Sequence, residues 1–493
     1  MKNKFLTKKL LQVSILIGIA FLLLNNLYKI FSFKYGDGIL GLQKFYKLNE
    51  QTVDVLVLGS SHAFENINTG FLFDSYGIAA YVLSGSVQPY WNTYYYLVEA
   101  LKTQRPKLIV LDAYASTFDS EYSDYSRIIK NNFGIKSLDT LYNSLKVSSP
   151  PETFDNYWFN YRLWHSRYTE LSDADFKEFY QIPMYQYFRG FGINFVTQKM
   201  EISTAAITPP IKAMPLSLKS EEYYRKIIEL SISERIPLLI VVSPFMVTEK
   251  EQMQFVESEL IASEYGIDFI NFNNLESYKL MDLNFDTDFA DSQHLNYIGN
   301  VKYSNVIAKI ITEKYDIPDR RDDILYEEWK LHSKDIKSRT YNQYLREESD
   351  FAKYFHKLCN EDSDYTIIIM TISNTKNIEQ YMEELSMLGI NADEMQDGSL
   401  YVVKNGIINH QTDEICWDYK ELLDNNTLEI KKETKFDKNT FLITHNLLWN
   451  DYEYVTTDKG IYFFVYDNFS KELADVCYFY NDIDSNAIVK GHR

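Results

Sequence analysis

Val55-Leu56-Val57-Leu58-Gly59-Ser60-Ser61-His62 decides how this chain folds. The run Val53–Leu58 is short and almost continuously apolar, the pattern of a strand buried on both faces of a parallel sheet. A glycine and two serines end it, so a hydroxyl stands at the carboxyl end of a strand. Working outward, Ala80–Leu83 is a second such run and precedes a helical stretch, Trp91 to Lys102. Pro106 introduces Leu108–Leu111. Leu238–Val242 follows a charged helix (Glu221–Arg235), and Phe269–Phe272 follows another (Gln252–Tyr265). A last helix is expected from Tyr297 to Lys314. Five strand–helix units imply an open α/β fold of three layers, with functional residues at the carboxyl ends of the strands.

Far downstream the chain reads Asp291-Ser292-Gln293-His294-Leu295-Asn296. A hydroxyl becomes a useful nucleophile when an imidazole takes its proton and a carboxylate fixes the imidazole's tautomer. Ser61, Asp291 and His294 supply those three parts in that order. Each motif alone has a plainer reading: Gly-Ser-Ser is a common turn, and Asp-x-x-His also suits a helix cap beside a surface histidine. Their order on one parallel sheet favours nucleophilic chemistry. A zinc site is disfavoured, because Asp291 and His294 have only Asp288 as a nearby residue of ligand type. An α/β-hydrolase is disfavoured because Gly59-Ser60-Ser61-His62-Ala63 lacks the second glycine of the nucleophile elbow.

Gly59-Ser60-Ser61 followed by Asp291-x-x-His294-Leu295-Asn296 resembles the SGNH/GDSL hydrolase superfamily over residues 50–315. It is most similar to the membrane-anchored bacterial branch that works beside cell-surface polysaccharide and teichoic-acid acyl-transfer systems. The resemblance implies Ser61 as nucleophile, with Ser60 where the family usually has Asp, and Asp291 and His294 as its partners. It also implies an oxyanion hole built from the amides of Ser61 and Gly85, the latter in Leu83-Ser84-Gly85-Ser86. The family's Gly-x-Asn-Asp is replaced here by Leu111-Asp112-Ala113-Tyr114, so its asparagine donor is missing. One lost donor typically costs about 100- to 1000-fold in rate. Gln88 is a candidate to assist. Gln88 and His165 are the weaker candidates for substrate contact, and no cofactor or metal is implied.

The N-terminus sets the expected location. Lys2, Lys4, Lys8 and Lys9 precede a mostly apolar stretch, and a helix over residues 10–31 would be roughly 33 Å long, enough to cross a bilayer. No small-x-small cleavage site follows, which favours an uncleaved signal anchor over a removed signal peptide. Residues 1–9 are then cytoplasmic, residues 10–31 span the cell membrane and residues 32–493 are extracytoplasmic. The net charge of −19 argues against nucleic acid as a partner. The 40 tyrosines and 31 phenylalanines are more simply a compositional bias than sugar-binding clefts. Three cysteines imply no disulfide framework.

Two further regions complete the 493 residues. Residues from Asp119 to Leu218 break the strand–helix rhythm and are rich in Tyr, Phe and Trp, including Trp158 and Trp164, which suggests a substrate-shaping cap. Residues 316–360 are charged and helix-prone, a connector. From 361 to 493 the segments turn to β character. Gly460-Ile461-Tyr462-Phe463-Phe464-Val465-Tyr466-Asp467, running on to Asp475-Val476-Cys477-Tyr478-Phe479, resembles the interleukin-like EMT-inducer (PANDER-type) domain. That resemblance implies a non-catalytic, carbohydrate-binding module; a spacer is the plainer reading. Together these features predict a serine esterase or O-acyltransferase, O-acetyl foremost, acting on surface polysaccharide or a teichoic-acid-like polymer. A multi-span membrane acyltransferase is the expected partner. The alternative is a non-catalytic glycan-binding or assembly protein that keeps the fold.

Overall fold

The computed structural model describes residues 2–159, 167–176, 189–360, 363–372, 382–391, 395, 398–424, 426–437, 440–450, 452–454, 460–482 and 487–492. The chain divides into two compact units, Met1–Ser333 and Lys334–Arg493.

In the first unit, β1 (Val55–Gly59), β2 (Ala80–Ser84), β3 (Leu108–Asp112), β4 (Leu238–Val242) and β5 (Asp268–Asn271) form one sheet in the order β2-β1-β3-β4-β5. Every pairing in it is parallel. β1 to β4 are buried throughout, as their unbroken apolar runs require. β5 begins one residue earlier than the apolar run suggests and is half-exposed, because it is the sheet's edge. The opposite edge, β2, is closed off: the Val82 amide donates to the Arg189 carbonyl at 2.8 Å, and Trp329 Nε1 donates to the Ala80 carbonyl at 3.3 Å. The helices Tyr90–Ala100 and Leu218–Ser233 pack side by side, as do Thr69–Tyr76 and Gly299–Lys314. The chain turns one way from β1 and the other way into β3, so a crevice opens at the carboxyl end of β1.

The N-terminal helix runs Lys2–Phe31, and its segment Leu11–Phe31 is long and apolar enough to cross a membrane. The aromatic-rich insertion is no free-standing lid. Its helices Tyr125–Asn132 and Leu138–Ser148 bury Ile128, Ile129 and Leu145 against Phe33 and Ile39. Its exit stretch passes over the carboxyl end of the sheet: the Gly192 amide donates to Phe64 O at 2.7 Å, and the Gln198 amide to Phe289 O at 2.8 Å.

The charged stretch 316–360 is helical, with Glu327–Glu347 and Phe351–Leu358 as its main helices; Ile336, Leu345, Phe351 and Phe355 are buried, whereas Ile324, Leu325 and Leu331 stay exposed. Tyr326 and Trp329 belong to the core of the first unit. A chain ending at Ser333 is therefore expected to retain the first unit's melting temperature. Ending it at Asp319 removes Trp329, which is 4% exposed, and should destabilise the unit by about 3–5 kcal/mol. Denaturant unfolding of the two truncations checks this.

In the second unit, period-two alternation builds two cores from one sheet. The six-stranded antiparallel sheet has the order β15-β14-β13-β6-β7-β8, with β6 at Tyr365–Thr371, β7 at Leu400–Lys404, β8 at Ile407–Thr412, β13 at Ile461–Asp467, β14 at Glu472–Asp482 and β15 at Ala487–His492. Ile367, Ile369, Phe463 and Val465 face Phe351, Tyr354 and Phe355 of the helix Phe351–Leu358. Ile368, Met370, Phe464 and Tyr466 face the other way, toward Trp417, Leu428, Ile430 and Leu447 of a second sheet in the order β12-β11-β10-β9, with β9 at Trp417–Leu423, β10 at Asn426–Asp437, β11 at Thr440–Trp449 and β12 at Tyr452–Tyr454.

Candidate active site

β1 delivers Ser61 as the first residue of the short helix Ser61–Asn66. The turn before it tolerates only glycine: a Cβ on Gly59 would stand 2.9 Å from Asp112 Cβ and 3.0 Å from Ala63 Cβ, at a φ of +153°. His294 and Asp291 arrive on a loop pinned at several points. Phe289 and Leu295 pair, the Ala290 amide donates to His294 O at 2.9 Å, and the Leu295 amide donates to Asn66 Oδ1 at 2.9 Å. Asn296 Oδ1 accepts the Ile298 and Gly299 amides at 3.0 and 3.2 Å, which starts the final helix.

The three sequence candidates meet. His294 Nε2 lies 2.9 Å from Ser61 Oγ, and His294 Nδ1 lies 3.0 Å from Asp291 Oδ1 and 3.1 Å from Oδ2. An ionised carboxylate only accepts, so Nδ1 carries the proton and donates to Asp291. Nε2 is then the acceptor and Ser61 O–H the donor, the arrangement that general-base activation requires. Asp291 Oδ1 also accepts the Gln293 and His294 amides at 2.7 and 3.0 Å.

The oxyanion candidates adjoin Ser61. The β1–β2 register sets Gly59 opposite Ser84 as its last pair, and Ser60 and Gly85 follow directly from these two strand ends. Gln88, the candidate to assist, is fully buried; its Nε2 donates one N–H to Thr93 Oγ1 at 3.0 Å, and its Oε1 would lie 3.3 Å from a Cβ on Gly85. His165 lies outside the described residues, as does Trp164. Beyond the end of β3 lies an aromatic stack. β3 runs into the 3₁₀ turn Ala113–Thr117, and Tyr114 lies face to face with His62, ring centroids 3.7 Å apart. Burial holds His62 well below the ordinary histidine range, so it is a neutral ring packed between Tyr114 and Phe245.

Asp112 points inward, its Oδ1 accepting the Tyr114 amide and its Oδ2 the Ser243 amide and hydroxyl, the last at 2.5 Å. Burial raises its carboxyl from 3.8 to about 6, against the opposing hydrogen bonds from Ser243. The folded state thus holds this proton more tightly than the unfolded chain does, so Asp112 costs stability as pH rises through the window from about 4 to 6. Relative to D112N, the wild-type chain should lose up to roughly 3 kcal/mol between pH 4 and pH 7. Urea unfolding of both proteins across that range checks the sign.

Sequence reasoning missed Glu65. It sits one helical turn from Ser61, with Oε1 4.0 Å from His294 Nε2 and Oε2 accepting Asn194 Nδ2 at 3.1 Å. Burial pushes its carboxyl up, with His294 opposing. The i, i+4 spacing from Ser61 was the available signal. Asn131 is the second missed residue: fully buried, its Oδ1 would be 2.2 Å from a Cβ on Gly85, while its Nδ2 donates to Ser86 O at 3.3 Å. It comes from the insertion, and no local pattern announces it. Among the described residues, no group of three or more His, Cys, Asp or Glu side chains is placed to hold a metal.

Compared with known proteins, the chain matches no family model and no curated sequence.

Proposed function

We propose that this chain is a membrane-anchored serine esterase or O-acyltransferase of the outer face. It adds or removes an acyl group, acetyl foremost, on cell-surface polysaccharide or a teichoic-acid-like polymer. The observation that carries the reading is the continuous Ser61–His294–Asp291 chain of contacts at 2.9 and 3.0 Å. Ser61 Oγ attacks the acyl carbonyl as His294 Nε2 takes its proton, and the amides of Ser61 and Gly85 receive the charge on the carbonyl oxygen. The C–O bond of the ester breaks, and the leaving alcohol takes the proton back from His294. The acyl-Ser61 ester is then attacked by a second hydroxyl that gives its proton to His294; the acyl–Oγ bond breaks and Ser61 Oγ takes that proton back, so that water makes the chain an esterase and a sugar hydroxyl makes it a transferase. A multi-span membrane acyltransferase would be the natural source of acyl groups for the second course.

The outer-face placement rests on the lysines at positions 2, 4, 8 and 9 before the apolar span. The second unit has the part of a glycan-holding module in this reading. The absence of the family's third-block asparagine favours a second reading, a non-catalytic glycan-binding protein. Incubating the full-length protein with a small acetyl ester and mapping its peptides by mass spectrometry separates the two. Acetyl on Ser61, with turnover, supports the enzyme; no adduct and no turnover would leave the binding protein.

A further inference from the structure

The residues leaving the N-terminal helix do not form a slack tether. Arg167, itself buried, donates from Nη1 to the carbonyls of Phe31 and Ser32 at 2.8 and 2.6 Å, and Lys34 Nζ donates to those of Lys29 and Ile30 at 2.7 and 3.2 Å. These cations satisfy carbonyls that a helix C-terminus leaves unpaired. Phe33 then enters the small core with Ile39 and Ile129.

The turn Gly36–Leu40 comes next, and it is fitted closely to the rest of the unit. Asp37 is extended, and Gly38 has a φ of +73°. A Cβ on Gly38 would lie 2.3 Å from the Lys130 carbonyl oxygen, so the backbone there approaches as near as glycine alone permits. From this turn Asp37 Oδ2 accepts the Ser86 amide at 2.9 Å. Its Oδ1 faces Lys130 Nζ at 3.5 Å, and Lys130 in turn lies over the Tyr35 ring. Ser86 follows Gly85 directly, and Asn131 holds the Ser86 carbonyl from the other side. Asp37 is also close enough to act electrostatically on Glu65, beside His294.

We propose that Asp37 is a positioning residue for the oxyanion loop: by fixing the Ser86 amide it holds the Gly85–Ser86 peptide, and through the Gly85 Cα this restrains the preceding peptide, whose N–H is the Gly85 amide that meets the reacting carbonyl. The inference rests on the proposed acyl-transfer reading, since it assigns the Gly85 loop a part in that chemistry. An oxyanion donor is effective only when its N–H is held at the place where charge develops. The family's third-block asparagine is absent, so the remaining amides carry more of that duty, and their orientation matters more. The connection also keeps the Gly85 loop within roughly 20–25 Å of the outer end of the apolar span, because the residues from Phe31 to Asp37 reach no further.

The test uses the full-length protein in detergent or nanodiscs, with Asp37→Ala and Asp37→Asn. Asparagine keeps an oxygen that can accept the Ser86 N–H; alanine does not. On a small acetyl ester, D37A should lose about 30- to 100-fold in kcat with KM little changed. Its inactivation by a fluorophosphonate should slow in parallel, and D37N should stay within about 5-fold of wild type. Wild-type kcat in D37A overturns the inference. Equal impairment of both variants with lowered melting temperatures also overturns it, since that is a merely structural role. A wild-type protein without turnover or labelling would instead remove the acyl-transfer reading, and this inference with it.

Discussion

Ser61→Ala should lower ester turnover by about 10⁴-fold or more, to the level left by binding and the oxyanion donors alone. Among the described residues, Ser61 is the only hydroxyl that hydrogen-bonds His294 Nε2, at 2.9 Å. Ser60, its neighbour, is buried and belongs to the turn, so it offers no substitute. The loss should fall on kcat, because removing the nucleophile leaves the surroundings of the acyl group in place. Circular dichroism and thermal unfolding should match the wild type: the substitution deletes one oxygen at the start of a helix. Turnover within 10-fold of wild type would mean that Ser61 does not attack.

Asp291→Asn should come next in size, at about 10⁴-fold in kcat. The reason is a tautomer. Asparagine can keep an oxygen on the Gln293 and His294 amides, which Asp291 Oδ1 accepts at 2.7 and 3.0 Å, so the loop should stay closed. Its amide nitrogen then faces His294 Nδ1 as a donor, and the ring answers by moving its proton to Nε2. The atom that should take the Ser61 proton is then occupied. D291N should fold as stably as wild type, whereas Asp291→Ala loses the amide contacts as well and should melt lower. Comparing kcat and melting temperature across the two variants separates the chemical role from the structural one.

The sheet was legible because its strands are buried on both faces. Val55–Gly59 and Leu238–Val242 are unbroken apolar runs, and water can touch neither side of them. The edge strand Asp268–Asn271 was legible only to within a residue, since one side of it is wet and its apolar pattern is weaker. The triad was legible for a chemical reason: a serine at a strand end and an Asp-x-x-His loop are local patterns. The rest of the site is tertiary. Asn131 reaches the Ser86 carbonyl from the insertion, and Asp37 reaches the Ser86 amide from the exit of the N-terminal helix. No spacing in the sequence records either approach. Gln88 lies near Gly85 as its position in the sequence suggested, and the bond from one of its N–H groups to Thr93 is tertiary detail that no spacing records. The charged composition of residues 316–360 likewise hid Trp329, whose indole closes the β2 edge.

One measurement bears most directly on the central claim that Ser61 is an activated nucleophile. The full-length protein is treated with a fluorophosphonate, digested, and its modified residue located by mass spectrometry. The arrangement of Ser61, His294 and Asp291 predicts a single phosphonyl adduct, on Ser61, that forms far more slowly in His294→Ala and is absent from Ser61→Ala. An adduct on Ser60, or no adduct on the folded wild-type protein, would contradict it.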